Sequence, residues 1–183
     1  MKMKDVSIVR RDVEVTLIPY GQSVTLMPGQ EVLVTQALGG SYTLNVNGNL
    51  VRLEGKDADA IGKEIMKMPV DESQVKSGDP IDEDLVWAQL KTVFDPEIPV
   101  NIVDLGLIYD IAYNKEKDGN FHVGVQMTLT APGCGMGPVL VEDVEARLKQ
   151  IPNICDVDVV LVFDPPWNSD MMSEEAKLEL GLF

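Results

Sequence analysis

The 183-residue chain has room for one medium domain or two small ones, and its 45% hydrophobic and 25% charged residues suit a packed globular protein. A formal net charge of −15 argues against a nucleic-acid binder, which needs clustered Lys and Arg to neutralise phosphates, and equally against docking on an anionic membrane. The 2 cysteines at unrelated spacing make no disulfide framework, and the charged residues after Met1 do not read as a signal peptide, so the expected compartment is the cytoplasm.

The charge is uneven. Residues 1–75 hold 8 basic and 10 acidic side chains (−2), whereas residues 76–183 hold 7 and 20 (−13), which predicts two structural units. In the first, short runs rich in β-branched residues at 13–18, 23–27, 31–35, 42–46 and 50–53 predict five strands, broken by Pro19-Tyr-Gly21, Pro28-Gly29, Gly39-Gly40 and Asn47-Gly48. Asn47-Gly48 is the clearest hairpin signal, because both central positions of a type I′ turn need positive φ. Strands so spaced suggest a small β-barrel or rolled sheet, with residues 57–67 as a closing helix. The expected domains are an all-β unit over 1–67, a linker over 68–80 rich in turn and charged residues, and a second unit over 81–183.

In that second unit Asp82 can cap a helix running to Phe94, with Val86, Leu90, Val93 and Phe94 on one face. Residues 105–113 and 121–129 read as strands. A helix starts near Pro138 and carries Leu140, Val141, Val144 and Leu148 on one face; 157–163 reads as a buried strand, and Ser173 caps a last short helix. The overall fold class is α+β, the second unit being a compact α/β sandwich in the order α-β-β-α-β-α.

Three segments can carry chemistry. In Thr128-Leu-Thr-Ala-Pro-Gly-Cys-Gly-Met-Gly-Pro138 a strand gives way to a glycine-rich turn and then a helix. The positive helix end favours thiolate over thiol, so Cys134 reads as a reactive thiol as well as a small residue in a tight turn. Cys155, leading into a mostly apolar strand, reads instead as a buried small hydrophobe. The segment from Asp95-Pro-Glu97 through Asn101-Ile-Val-Asp-Leu-Gly106 is a rigid polar loop, in which Glu97 and Asp104 are either hard ligands or orienting groups; Asp95 and Asn101 can equally serve local backbone. In Asp164-Pro-Pro-Trp167 the prolines stiffen a loop from which Trp167 either covers the site or faces a partner. His122 is the sole histidine, which excludes a three-histidine centre, and a lone strand histidine reads as structural.

Taken together, Asp95-Pro-Glu97 with Asn101-Ile-Val-Asp-Leu-Gly106, Thr128-Leu-Thr130 with Cys134, and Asp164-Pro-Pro-Trp167 resemble the SufT and PaaD-type iron–sulfur assembly domain from about Asp82 onward. Leu38-Gly-Gly-Ser-Tyr-Thr43 and Gly55-Lys-Asp-Ala-Asp-Ala60 resemble the longer bacterial SufT subfamily. The resemblance implies a non-catalytic, often dimeric factor that helps SUF assembly proteins pass iron–sulfur clusters to apo recipient proteins. It maps the family's reactive cysteine onto Cys134 and its acidic residue onto Glu97; many relatives have proline where this chain has Gly135. The candidate site is then Cys134, Glu97, Asp104 and Thr130, with Cys134 as the metal ligand. Clusters usually take four thiolates and one chain has 2 cysteines, so the expected cargo is a transient cluster or iron shared with a second subunit or a client. The alternatives are a metal-free adaptor joining the assembly machinery to its clients and, ranked third, a thiol enzyme.

Overall fold

The computed structural model describes residues 5–65, 75–133 and 135–182, and the chain divides into two units. The charged N-terminus, the end of the helix expected over 57–67, the first part of the linker expected over 68–80, and Cys134 fall outside the described residues. No helix among the described residues is long and apolar enough to cross a membrane.

The first unit is one antiparallel sheet of six strands: β1 (Asp5–Ile8), β2 (Val13–Ile18), β3 (Ser23–Leu26), β4 (Glu31–Leu38), β5 (Ser41–Val46) and β6 (Asn49–Glu54). They lie in the order β1-β4-β5-β6-β2-β3. The expected barrel-like form is therefore corrected to an open sheet. Closure needs the outermost strands to pair, and among the described residues β1 and β3, four residues each, pair with β4 and β2 and not with each other. Alternate residues of β5 (Tyr42, Leu44, Val46) and of β2 (Val13, Val15) join Val51 and Leu53 of β6 in one core. The Asn47-Gly48 hairpin is present, with φ of 51° and 89° and the Gly48 N–H bonded to Asn45 Oδ1 at 2.9 Å.

The expected helix over 57–67 is a 3-10 segment, Gly55–Ile61, stopped by left-handed Gly62, whose N–H bonds back to Asp59 at 3.0 Å. Arg11 bonds Asp57 and Asp59 of this segment at 3.0 and 2.7 Å, and its guanidinium holds the Asp59 carboxyl below the usual range.

The second unit has α1 (Glu83–Leu90), β7 (Ile108–Lys115), β8 (Phe121–Met127), α2 (Gly137–Leu148), β9 (Ile154–Leu161) and α3 (Glu174–Glu179), the order the sequence suggests. Asp82 caps α1 by accepting from the Leu85 N–H at 3.2 Å, and Ser173 caps α3 through the Ala176 N–H at 3.2 Å. Helix α1 ends earlier than expected. After Leu90 the chain tightens, with the Thr92 N–H and hydroxyl both turning back to the Gln89 carbonyl at 3.0 and 2.6 Å.

Strand β7 runs antiparallel to β8 and β9 runs parallel to it, so α2 is the crossover. Leu140, Val144 and Leu148 of α2 are buried, as are Val123, Val125 and Met127 of β8. The strand expected at 157–163 is not wholly buried: β9 is an edge strand whose outward residues, such as Val160, stand in solvent. Residues 75–80 are tied to this unit rather than free, since the buried Asn153 amide donates to the carbonyls of Asp79 and Pro80 at 3.1 and 3.0 Å.

Leu140 is 1% exposed in the α2–sheet interface. Leu140→Ala should lower stability by about 2–5 kcal/mol. Denaturant titration followed by Trp fluorescence checks this, since Trp87 and Trp167 both lie in the second unit.

Candidate functional site

Parallel pairing puts the carboxyl ends of β8 and β9 at one edge of the three-stranded sheet, where β7 begins and α2 starts. Loops past the carboxyl ends of parallel strands are a usual place for sites. At this edge the ladder runs on beyond the strands. The Thr128 N–H bonds the Leu107 carbonyl, and the Val162 N–H bonds the Met127 carbonyl, each at 2.8 Å. Two of the chemistry-bearing segments, 128–130 and the loop through 101–107, are joined there at Leu107.

The loop is held by its own polar groups. Asn101 Oδ1 accepts from the Asp104 N–H at 2.9 Å, while its amide nitrogen donates to Asp104 Oδ2 at 2.6 Å. Backbone bonds from Ile102 to the Val93 carbonyl (2.9 Å) and from Asp95 to the Val100 carbonyl (3.2 Å) close its base. Asn101 thus serves local backbone, and Asp104 has one carboxylate oxygen engaged in orienting the loop.

The third segment locks onto the same loop. Trp167 Nε1–H donates to the Leu105 carbonyl at 2.7 Å, the Tyr109 hydroxyl donates to the Pro165 carbonyl at 2.7 Å, and the Ser173 N–H donates to the Asp104 carbonyl at 2.7 Å. Gly106, at φ 77°, sits directly against the Met171 carbonyl, where any Cβ would collide. Gly137, which opens α2, is less tightly held: a Cβ would stand 3.1 Å from a Leu129 methyl and 3.2 Å from a Leu161 methyl. Trp167 is half-buried, so it lies over the loop rather than projecting from it.

Of the expected site residues, Asp104 and Thr130 flank this junction, both half-buried. Glu97 is exposed, in a stretch (96–99) that groups with the first unit. Cys134 lies outside the described residues. Thr128, part of the Thr128-Leu-Thr130 motif but not among the expected site residues, is 1% exposed, and its Oγ1 has no hydrogen-bond partner among the described residues. A buried orphan hydroxyl is costly and marks a place to look for a ligand.

Cys155 is corrected: it is exposed, with its thiol 3.2 Å from the Phe121 carbonyl. The cause is a β-bulge. Phe121 pairs with Ile154 and His122 with Asp156, which leaves Cys155 as the extra residue. Also unforeseen was the grouping of His122 with Asp156 and Asp158 on the outer sheet face; the alternation of two aspartates along a strand was the available signal.

Residues 83–160 match a family model described as an iron-sulfur cluster assembly protein. The chain is 50% identical over 100 residues to a Fe-S protein maturation auxiliary factor of Porphyromonas gingivalis, covering 55% of this chain and 90% of that one. The auxiliary factor YitW of Bacillus subtilis is 41% identical over 97 residues (53% and 91%), and the auxiliary factor SufT of Staphylococcus aureus 46% identical over 90 residues (49% and 98%). The chain belongs to the SufT family of Fe–S protein maturation auxiliary factors. The matched residues 83–160 contain the loop 101–107, the end of β8 and the start of α2.

Gly106→Ala should cost roughly 1–3 kcal/mol for the left-handed backbone alone and more for the collision with Met171. Gly78→Ala is the comparison, because Gly78 has a similar φ of 88° with nothing within 4 Å. Urea midpoints of the two variants check the difference, Gly106→Ala being the lower.

Proposed function

We propose that this chain is a non-catalytic accessory factor in Fe–S protein maturation, and that the Cys134 thiolate is a transient ligand for a cluster, or for iron, in passage from SUF assembly proteins to apo recipients. The observation that carries this reading is the convergence of the loop 101–107, the β8 end and Trp167 beside the start of α2. In the sequence Cys134 precedes Gly137, the first residue of α2, by three positions. The names of the relatives, Fe-S protein maturation auxiliary factors, support the same role.

Ligand number shapes the mechanism. A cluster usually takes four thiolates, and this chain has 2 cysteines. Two chains of a homodimer can each present Cys134, with thiols of a client or a small molecule completing the set. Such a shared ligand set favours hand-over above storage. The cargo is then substrate rather than resident cofactor.

A second reading, a metal-free adaptor, is favoured by the acidic surface but weakened at Trp167, whose indole N–H is already bonded to Leu105. Anaerobic reconstitution with iron and sulfide separates the two. Cluster absorbance should form on the native chain, persist in Cys155→Ser and vanish in Cys134→Ser. No absorbance in the native chain, or equal loss in both variants, contradicts the ligand assignment and favours the adaptor.

A further inference from the structure

At the amino ends of β8 and β9, about 17 Å along the strands from the carboxyl-end site, lies a second group of metal-binding side chains. His122, Asp156 and Asp158 offer an imidazole nitrogen and two carboxylate oxygens that all lie within 4.8 Å of one another. His122 Nε2 is 2.7 Å from Asp158 Oδ2.

The backbone explains the grouping. The bulge at Cys155 moves Asp156 into register with His122, and the period of two along β9 puts Asp158 on the same face. That face is the open side of the sheet: Val123, Val125 and Val157 point the other way into the core. Both aspartates are largely exposed, Asp156 Oδ1 accepting from the Val157 N–H at 2.9 Å, while His122 has 31% of its side chain exposed. Among the described residues, the cation paired with the group is Lys149, whose Nζ is 3.8 Å from Asp156 Oδ1. A long, exposed pair of this kind is worth little and yields readily to a divalent ion.

We propose that His122, Asp156 and Asp158 form a binding site for a first-row divalent transition-metal ion such as Zn²⁺. Metal–ligand bonds of about 2.0–2.2 Å put tetrahedral ligand atoms roughly 3.3 Å apart. The His122–Asp158 contact, at 2.7 Å, needs to open by about 0.6 Å, with Asp156 closing in. The imidazole selects transition metals over Mg²⁺ and Ca²⁺, which take oxygen ligands. Three protein ligands leave a position for water, as in sites that exchange their ligands. The site is independent of Cys134 and of the proposed hand-over: it uses neither thiol.

The test uses the full chain carrying Cys134→Ser and Cys155→Ser, so that thiols do not compete for the ion. Because His122 is the sole histidine, its imidazole Hε1 signal in the proton NMR spectrum is unambiguous. Zn²⁺ should shift that signal to saturation at one equivalent per chain, and Mg²⁺ should not. Asp156→Asn and Asp158→Asn, near-isosteric changes at exposed positions, should each weaken binding about tenfold or more. Absence of a Zn²⁺ shift overturns the site, as does an equal response to Mg²⁺. An effect of only one asparagine variant, or of neither, overturns the three-ligand assignment.

Discussion

The parallel pairing of β8 with β9 is the constraint on which the second unit depends. Parallel strands need a crossover, here α2, and the crossover forces both strands to end at the same edge. The chain leaving β8 must therefore turn sharply into α2 beside the chain leaving β9. Gly137 stands at that junction, where a Cβ would press on the Leu129 and Leu161 side chains. Without the parallel register, the segments at 128–130 and 164–167 would not share an edge, and neither would meet the loop that leads into β7.

The loops at that edge are held together by the saturation of their backbone. Leu105, Leu107, Pro165 and Asp104 each give a carbonyl to a donor from another segment: Trp167, Thr128, Tyr109 and Ser173. Each such bond contributes only about 0.5–1.5 kcal/mol, but they share one small loop, so loss of one frees its neighbours. The proposed hand-over would call for rigid loops of this kind, because the incoming and outgoing ligand sets must meet the same geometry. The same register has a second consequence at the far end of the strands, where the bulge at Cys155 gathers His122, Asp156 and Asp158.

Much of this was legible in the residues. The helical spacing of Leu140, Val144 and Leu148, the caps Asp82 and Ser173, and the Asn47-Gly48 turn act through local chemistry and appear where the sequence puts them. Features that depend on partners distant in the chain were not legible. Cys155 reads as buried in an apolar run, yet a register slip against Phe121 turns it to solvent. The first sheet stays open because β1 and β3 are too short and lie at opposite edges, a matter of strand order that strand spacing does not encode. Within the site, Asn101 and Trp167 were visible as unusual residues, but their bonds to Asp104 and Leu105 depend on how the loops pack.

The most direct test of the shared, interlocked edge is native-state hydrogen exchange of four amides: Leu107, Thr128, Val162 and Ser173. Their acceptors are Ile102, Leu107, Met127 and Asp104, respectively. If the edge opens as one unit, the four share a common protection, and Trp167→Phe, which removes the bond to Leu105, speeds exchange of all four together by about tenfold or more. Widely different protection in the native chain, or a change confined to one amide in the variant, would contradict it.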